Sequence, residues 1–133
     1  MARIKHIALR TPDPEKTARF YKEVFGLEEV GRARTGFYLS DGYINLAILQ
    51  CAEQGTGASP RDVSGYAGID HFGFQVDDVD ETCKKLEAAG STAMPGVTLG
   101  HAAGADGHSY YELKYRGPDQ QVIDITASGW IGA

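Results

Sequence analysis

Apolar and polar positions alternate with period two over residues 3–10, Arg-Ile-Lys-His-Ile-Ala-Leu-Arg. The spacing predicts a strand with Ile4, His6, Ala8 and Arg10 on one face. Thr11-Pro12-Asp13-Pro14 ends it: Asp13 suits a helix N-cap, and Pro14 suits the first helical position. Residues 14–25 follow helical spacing, with Ala18, Tyr21 and Phe25 as an apolar stripe beside Phe20 and Val24, and Gly26 is a natural stop. Short strands are predicted near 28–34, 36–40 and 43–49, the last two joined by the hairpin signal Asp41-Gly42. Residues 50–67 have no period and carry Gly55, Gly57, Ser59, Pro60, Ser64 and Gly65, the pattern of a linker or flap.

The pattern then restarts. Residues 69–76 predict a strand, and 79–89 a helix capped by Asp78 and stopped by Gly90. A weak strand at 92–94 is ended by Pro95-Gly96, and 97–108 read as a loop rich in Gly and His. Strands at 109–116 and 121–127 flank a turn at Gly117-Pro118-Asp119-Gln120. His6 to His71 is 65 positions, as is Asp13 to Asp78; Gly26 to Gly90 is 64; Ile44-Asn45-Leu46 precedes Ile123-Asp124-Ile125 by 79. Such an internal repeat fixes the architecture. It predicts an α+β domain over residues 1–133, made of two β-α-β-β-β halves at about 3–49 and 69–127. One half alone leaves an open apolar face, which pairing covers.

Composition narrows the function. Net charge is -5, with the charges dispersed, which gives no reason to expect nucleic acid or an anionic membrane as partner. No apolar run approaches 18 residues and no signal region opens the chain, so a cytoplasmic protein with Cys51 and Cys83 reduced is expected.

Among the polar residues, the recurrence of a histidine at 6 and 71 argues for function at both. Asp124 lies between Ile123 and Ile125. Glu112 shares a strand face with Lys114 and Arg116, which reads as an exposed, salt-bridged face. Glu112 also stands second for a carboxylate ligand or general base. His101 and His108 read equally as solvent-exposed loop residues or as proton carriers on a mobile lid. Tyr38, Tyr111 and Tyr115 could orient a substrate oxygen, although strand tyrosines more often pack. Arg10 reads as an exposed strand end, or as a partner for an anionic substrate. Trp130 belongs to an apolar terminal segment that packs on its own domain or on a second subunit.

Four stretches carry a family resemblance: Lys5-His6-Ile7-Ala8-Leu9, Phe20-Tyr21-Lys22-Glu23-Val24-Phe25-Gly26-Leu27, Asp70-His71-Phe72-Gly73-Phe74 and Gly117-Pro118-Asp119-Gln120-Gln121-Val122-Ile123-Asp124. Together they resemble the vicinal oxygen chelate superfamily, which includes glyoxalase I, extradiol dioxygenases, methylmalonyl-CoA epimerase, fosfomycin-resistance enzymes and bleomycin-binding proteins. The resemblance implies two βαβββ modules forming a cup around a divalent metal. It places the ligands at His6, Asn45, His71 and Asp124. Asp124 departs from the commoner Glu, and Asn45 from the Glu, Gln or His usual in glyoxalase I. Asn45 could be a weak fourth ligand or hold a metal-bound water. Two imidazoles and one carboxylate with open positions suit Fe(II) or Mn(II) and a bidentate oxygen substrate, with Ni(II) or Zn(II) as alternatives.

The expectation is therefore a metal-dependent enzyme acting on a small substrate with vicinal oxygens, either a dioxygenase or a glyoxalase-like lyase or isomerase. Set against it is a metal-free drug-binding protein of the bleomycin-resistance type, whose members typically lack the ligand histidines. A fosfomycin-resistance-type transferase has no residue set here that singles it out. A homodimer is expected, since it would cover sheet edges.

Overall fold

The computed structural model describes residues 1–51, 65–103 and 109–133, with side chains described outside 95–111. The first half runs β1 (Arg3–Thr11), α1 (Pro14–Phe25), β2 (Glu28–Ala33), β3 (Gly36–Ser40) and β4 (Asn45–Gln50). The second repeats the order: β5 (Gly68–Gln75), α2 (Val79–Ala88), β6 (Thr92–Ala103), β7 (Ser109–Arg116) and β8 (Val122–Thr126). All strands join one eight-stranded sheet in the order β2-β3-β4-β1-β5-β8-β7-β6. Each half forms one side of it. β1 lies parallel to β4, β5 parallel to β8, and β1 meets β5 antiparallel at the seam.

The helix starts follow the predicted capping chemistry. Asp13 and Asp78 each accept the backbone N–H three residues on, from Lys16 at 3.0 Å and Glu81 at 2.8 Å, which satisfies donors the helix itself leaves open. Each helix covers a core cluster. Ala18 of α1 packs on Phe37, Leu39 and Ile48, with Leu9, Tyr21, Leu27 and Leu46 around them. Val79, Cys83 and Leu86 of α2 pack on Tyr115, Ile125 and Val76. The opposite, inward face of the central strands carries the polar residues considered below.

Several expectations need correction. The α1 stripe is narrower than its spacing suggests: only Ala18 is buried, while Phe20, Val24 and Phe25 are exposed. β4 begins at Asn45 rather than 43, because the Asp41 carboxylate takes the N–H groups of Tyr43 and Ile44, both at 2.8 Å, and so withdraws them from strand pairing. The strand from residue 92 does not stop at Pro95-Gly96. It runs to Ala103, so the predicted loop 97–108 is strand as far as 103. β6 is the sheet edge, and its pairing with β7 is interrupted between Ala93 and Thr98. A proline without an N–H is tolerated at such a place. Most of the predicted linker, residues 52–64, lies outside the described residues.

Candidate metal centre

One cross-strand row carries most of the site. Ser40 pairs with Asn45, Asn45 with His6, His6 with Gly73, Gly73 with Asp124, and Asp124 with Lys114. The row crosses β3, β4, β1, β5, β8 and β7. His71 sits two residues from Gly73 on β5, hence on the same face. Gly73 is the low point of the row: a Cβ there would lie 2.5 Å from the Trp130 ring and 3.1 Å from Asp124 Cβ.

His6, His71 and Asp124 are buried and present ligand atoms all within 4.8 Å of one another. His6 Nε2 lies 3.2 Å from His71 Nε2, and His71 Nε2 lies 3.2 Å from Asp124 Oδ2. Asp124 Oδ2 is buried and accepts no hydrogen bond of good geometry, despite that short distance.

The partners on the far side of each ring set the tautomers. The Asn45 amide donates to the Ile131 carbonyl at 2.8 Å, so its Oδ1 faces His6 Nδ1, also at 2.8 Å. His6 Nδ1 must then carry the proton. His71 Nδ1 lies 2.7 Å from the Asp70 carboxylate, which can only accept. With both rings neutral, the two Nε2 atoms are lone-pair donors beside a carboxylate oxygen that accepts no hydrogen bond. Three such atoms facing one another are an arrangement that a cation between them would satisfy. Two of the three separations, at 3.2 Å, are close to the roughly 3 Å expected between adjacent ligands on a cation with bonds of about 2.1 Å, and the third lies within 4.8 Å. The donor set therefore fits a divalent metal.

Of the surrounding charges, Lys114 is buried and Glu112 half-buried. Lys114, on β7, donates hydrogen bonds to Asp124 Oδ1 and, at 3.3 Å, to Glu112. Trp130 Nε1 donates to the other Glu112 oxygen at 2.9 Å, and the indole stacks on His6 with centroids 4.8 Å apart and planes 7° apart. Burial and the His71 ring together push the His6 pKa down to about 3, so this ring is neutral. Burial raises the Asp124 carboxyl, with Glu112 adding to it and His71 and Lys114 opposing. Burial works in the same direction on Glu112, but Lys114 and the Trp130 hydrogen bond bring it below the usual range.

The remaining candidates divide. Glu112 and Lys114 form part of the buried site rather than an exposed ionic face: Lys114 is only 4% exposed. Arg10 is likewise buried, not an exposed strand end; it donates to the Gln50 carbonyl at 3.0 Å and lies 3.9 Å from Asp70. Tyr38 is on the inward face of β3, since its neighbours Phe37 and Leu39 pack under α1. Burial, reinforced by Glu112, raises its hydroxyl pKa. Tyr115 faces the other way, in the α2 core, with its hydroxyl 3.2 Å from Glu87. His101 lies in β6, between two residues where the pairing shifts, rather than in a loop. His108 lies outside the described residues.

Asp70 was not anticipated. Strict alternation turns it away from His71, but the β1–β5 register shifts between Ala8 and Leu9, which skips Asp70. This bulge lets two consecutive side chains point inward. The only cue in the sequence is the Asp-His pair itself.

A sequence profile of the Glyoxalase/Bleomycin resistance protein/Dioxygenase superfamily matches residues 3–125. The chain belongs to this superfamily. It is 28% identical to a probable lactoylglutathione lyase, chloroplastic, of Arabidopsis thaliana, over 91% of this chain but 38% of that protein. It thus spans under two-fifths of that relative. It is 27% identical to the glutathione transferase FosA of Serratia marcescens, over 92% of this chain and 78% of that one. Among solved structures, the Mn(II)-bound glyoxalase of Novosphingobium aromaticivorans superposes with a TM-score of 0.68 at 20% identity, covering all of this chain and 42% of that one. The 2,3-dioxygenase LapB of Pseudomonas sp. KL28 gives 0.65 at 24% identity, over 98% and 42%. These likenesses fix the fold. No helix among the described residues is long and apolar enough to cross a membrane.

Proposed function

We propose that the chain is a metal-dependent enzyme whose divalent cation is held by His6 Nε2, His71 Nε2 and Asp124 Oδ2, and whose substrate is a small molecule with adjacent oxygens. The observation that carries this reading is the convergence of two tautomer-fixed imidazole lone pairs on a buried carboxylate oxygen that accepts no hydrogen bond. Two neutral nitrogens and one carboxylate favour Fe(II) or Mn(II) over a closed structural zinc site. A cation bound there supplies Lewis acidity toward substrate oxygens.

The chain's own residues do the rest. Asn45 and Asp70 hold the two rings in the ligating tautomer. Lys114 engages Asp124 Oδ1 and leaves Oδ2 for the cation. Tyr38, its hydroxyl held protonated by burial and by Glu112, is a hydrogen-bond donor for a substrate oxygen. The reaction class is a dioxygenase or a glyoxalase-like lyase or isomerase, in keeping with the superfamily. Metal analysis of anaerobically purified protein tests the reading. One divalent ion per chain is expected, lost in His6→Ala and His71→Ala; variants that bind as the parent does would overturn it.

A second reading has its own observation. Lys114 already neutralises Asp124, and Trp130 occupies space beside His6. A metal-free binding protein of the drug-sequestering kind fits those two facts. Under that reading the parent takes up no metal, and a planar aromatic ligand binds without it.

A further inference from the structure

Residues 130–132 touch both halves of the sheet around one histidine. The Trp130 ring stacks on His6, sits in the notch left by Gly73, and donates its N–H to Glu112. The Ile131 carbonyl accepts the Asn45 amide, while its side chain lies against Gly31. The Gly132 carbonyl accepts the Ser40 hydroxyl at 2.5 Å, and Gly132, at φ +78°, fits tightly between Val30 and Ser40.

A relay follows from these contacts. An amide side chain can face His6 Nδ1 with either its oxygen or its nitrogen. With the Ile131 carbonyl on the other side, only one orientation satisfies both groups: nitrogen to Ile131, oxygen to His6. That orientation requires the proton on His6 Nδ1, which frees Nε2. The stacked indole fixes the ring plane in which Nε2 points. We infer that residues 130–132 are a positioning clamp for the metal centre, setting the tautomer of His6 through Asn45 and its ring plane through Trp130. The inference rests on the reading of His6 as a ligand. Partners of this sort, one step behind a ligand, typically account for about 10–100-fold in metal affinity.

Gly132→Val tests the clamp without altering any side chain of the site. A Cβ at this position would lie 2.8 Å from Val30 and 3.0 Å from Ser40, on a left-handed backbone that β-branched residues avoid. The segment must then lift off. Two measurements are made on the parent and on Gly132→Val: Co(II) affinity by calorimetry, and the His6 tautomer by long-range nitrogen NMR on metal-free protein. The parent is expected to hold His6 as the Nδ1–H form alone. In Gly132→Val, His6 is expected to exchange between tautomers, and Co(II) binding to weaken about 10–100-fold. Trp130→Gly removes the ring but keeps Asn45 and the Ile131 carbonyl, so it should weaken Co(II) binding while His6 stays in the Nδ1–H form; Trp130→Phe, which keeps an aromatic ring on His6, should behave as the parent. A Gly132→Val protein with the parent's tautomer and affinity, or a Trp130→Gly protein with the parent's affinity, would overturn the inference. If the parent binds no Co(II), the metal reading fails, but the tautomer comparison still decides the clamp.

Discussion

The two halves share connectivity and a histidine in the first strand, yet they support that histidine by different means. In the first half, Asn45 lies level with His6 across β1 and β4, and a neutral amide meets Nδ1. In the second, the residue level with His71 is Val122; Asp124 lies two positions further on, opposite Gly73. That offset takes Asp124 past Nδ1 to the Nε2 side, and the place at Nδ1 is filled by Asp70 from the bulge. The 79-residue spacing between Asn45 and Asp124 in the sequence therefore hides a shift of one pleat. A duplicated scaffold became asymmetric by sliding one strand's chemistry two residues. It now has a neutral side and an ionic side.

The largest expected effect lies on the ionic side. Lys114→Met leaves Asp124 and Glu112 buried without their cation, and breaking a buried pair in this way costs about 3–5 kcal/mol. Ser40 is the residue that pairs with Asn45 as Lys114 pairs with Asp124. Urea denaturation of Lys114→Met and Ser40→Ala measures the contrast, and equal losses would contradict it.

The pH dependence belongs to the neutral side. His6 has a folded pKa of about 3 against an ordinary 6.5. The unfolded chain therefore takes up the proton first, and stability is lost as pH falls from about 6.5 toward 3. At roughly 1.4 kcal/mol per unit the loss is on the order of 4 kcal/mol at the bottom of that window. The difference between metal-free parent and His6→Gln, followed by denaturation at each pH, isolates this contribution. A difference that does not change with pH would refute it.

Asp70→Asn replaces an obligate acceptor by a group that can also donate. It should weaken Co(II) binding about 10–100-fold while leaving the His6 tautomer unchanged. A Cβ at Gly73 meets the Trp130 ring at 2.5 Å. Gly73→Ala should cost about 1–3 kcal/mol by overpacking and shift the emission of this single tryptophan to longer wavelength. The smallest effect is Ser40→Ala, which removes the hydroxyl bonded to Gly132 and should cost about 1 kcal/mol.

Much of this was legible in the sequence. Caps at Asp13 and Asp78, the alternation of β1 and the 65-residue repeat follow from local rules and matched His6 with His71; Asp124 joined them only through the family resemblance. The shared face of Glu112 and Lys114 was also legible, but which way it faces was not: alternation gives parity along a strand, and the side that is covered depends on where the helices pack. Asp70 was hidden by a bulge, which breaks the parity rule at one residue. β6 beyond Pro95 was hidden because proline is excluded only from strands that must donate on both sides. The fit of residues 130–132 depends on contacts with residues 31, 40, 45 and 73, which no local pattern encodes.

The cross-strand row has a consequence for how the protein is made. Its members are drawn from residue 6 through residue 124, so no fragment of the chain carries more than part of the centre. Closing contacts so distant in sequence is slow compared with forming local helices. The centre should be among the last features assembled during folding, and a cation added to refolding protein should act on the final phase of the reaction.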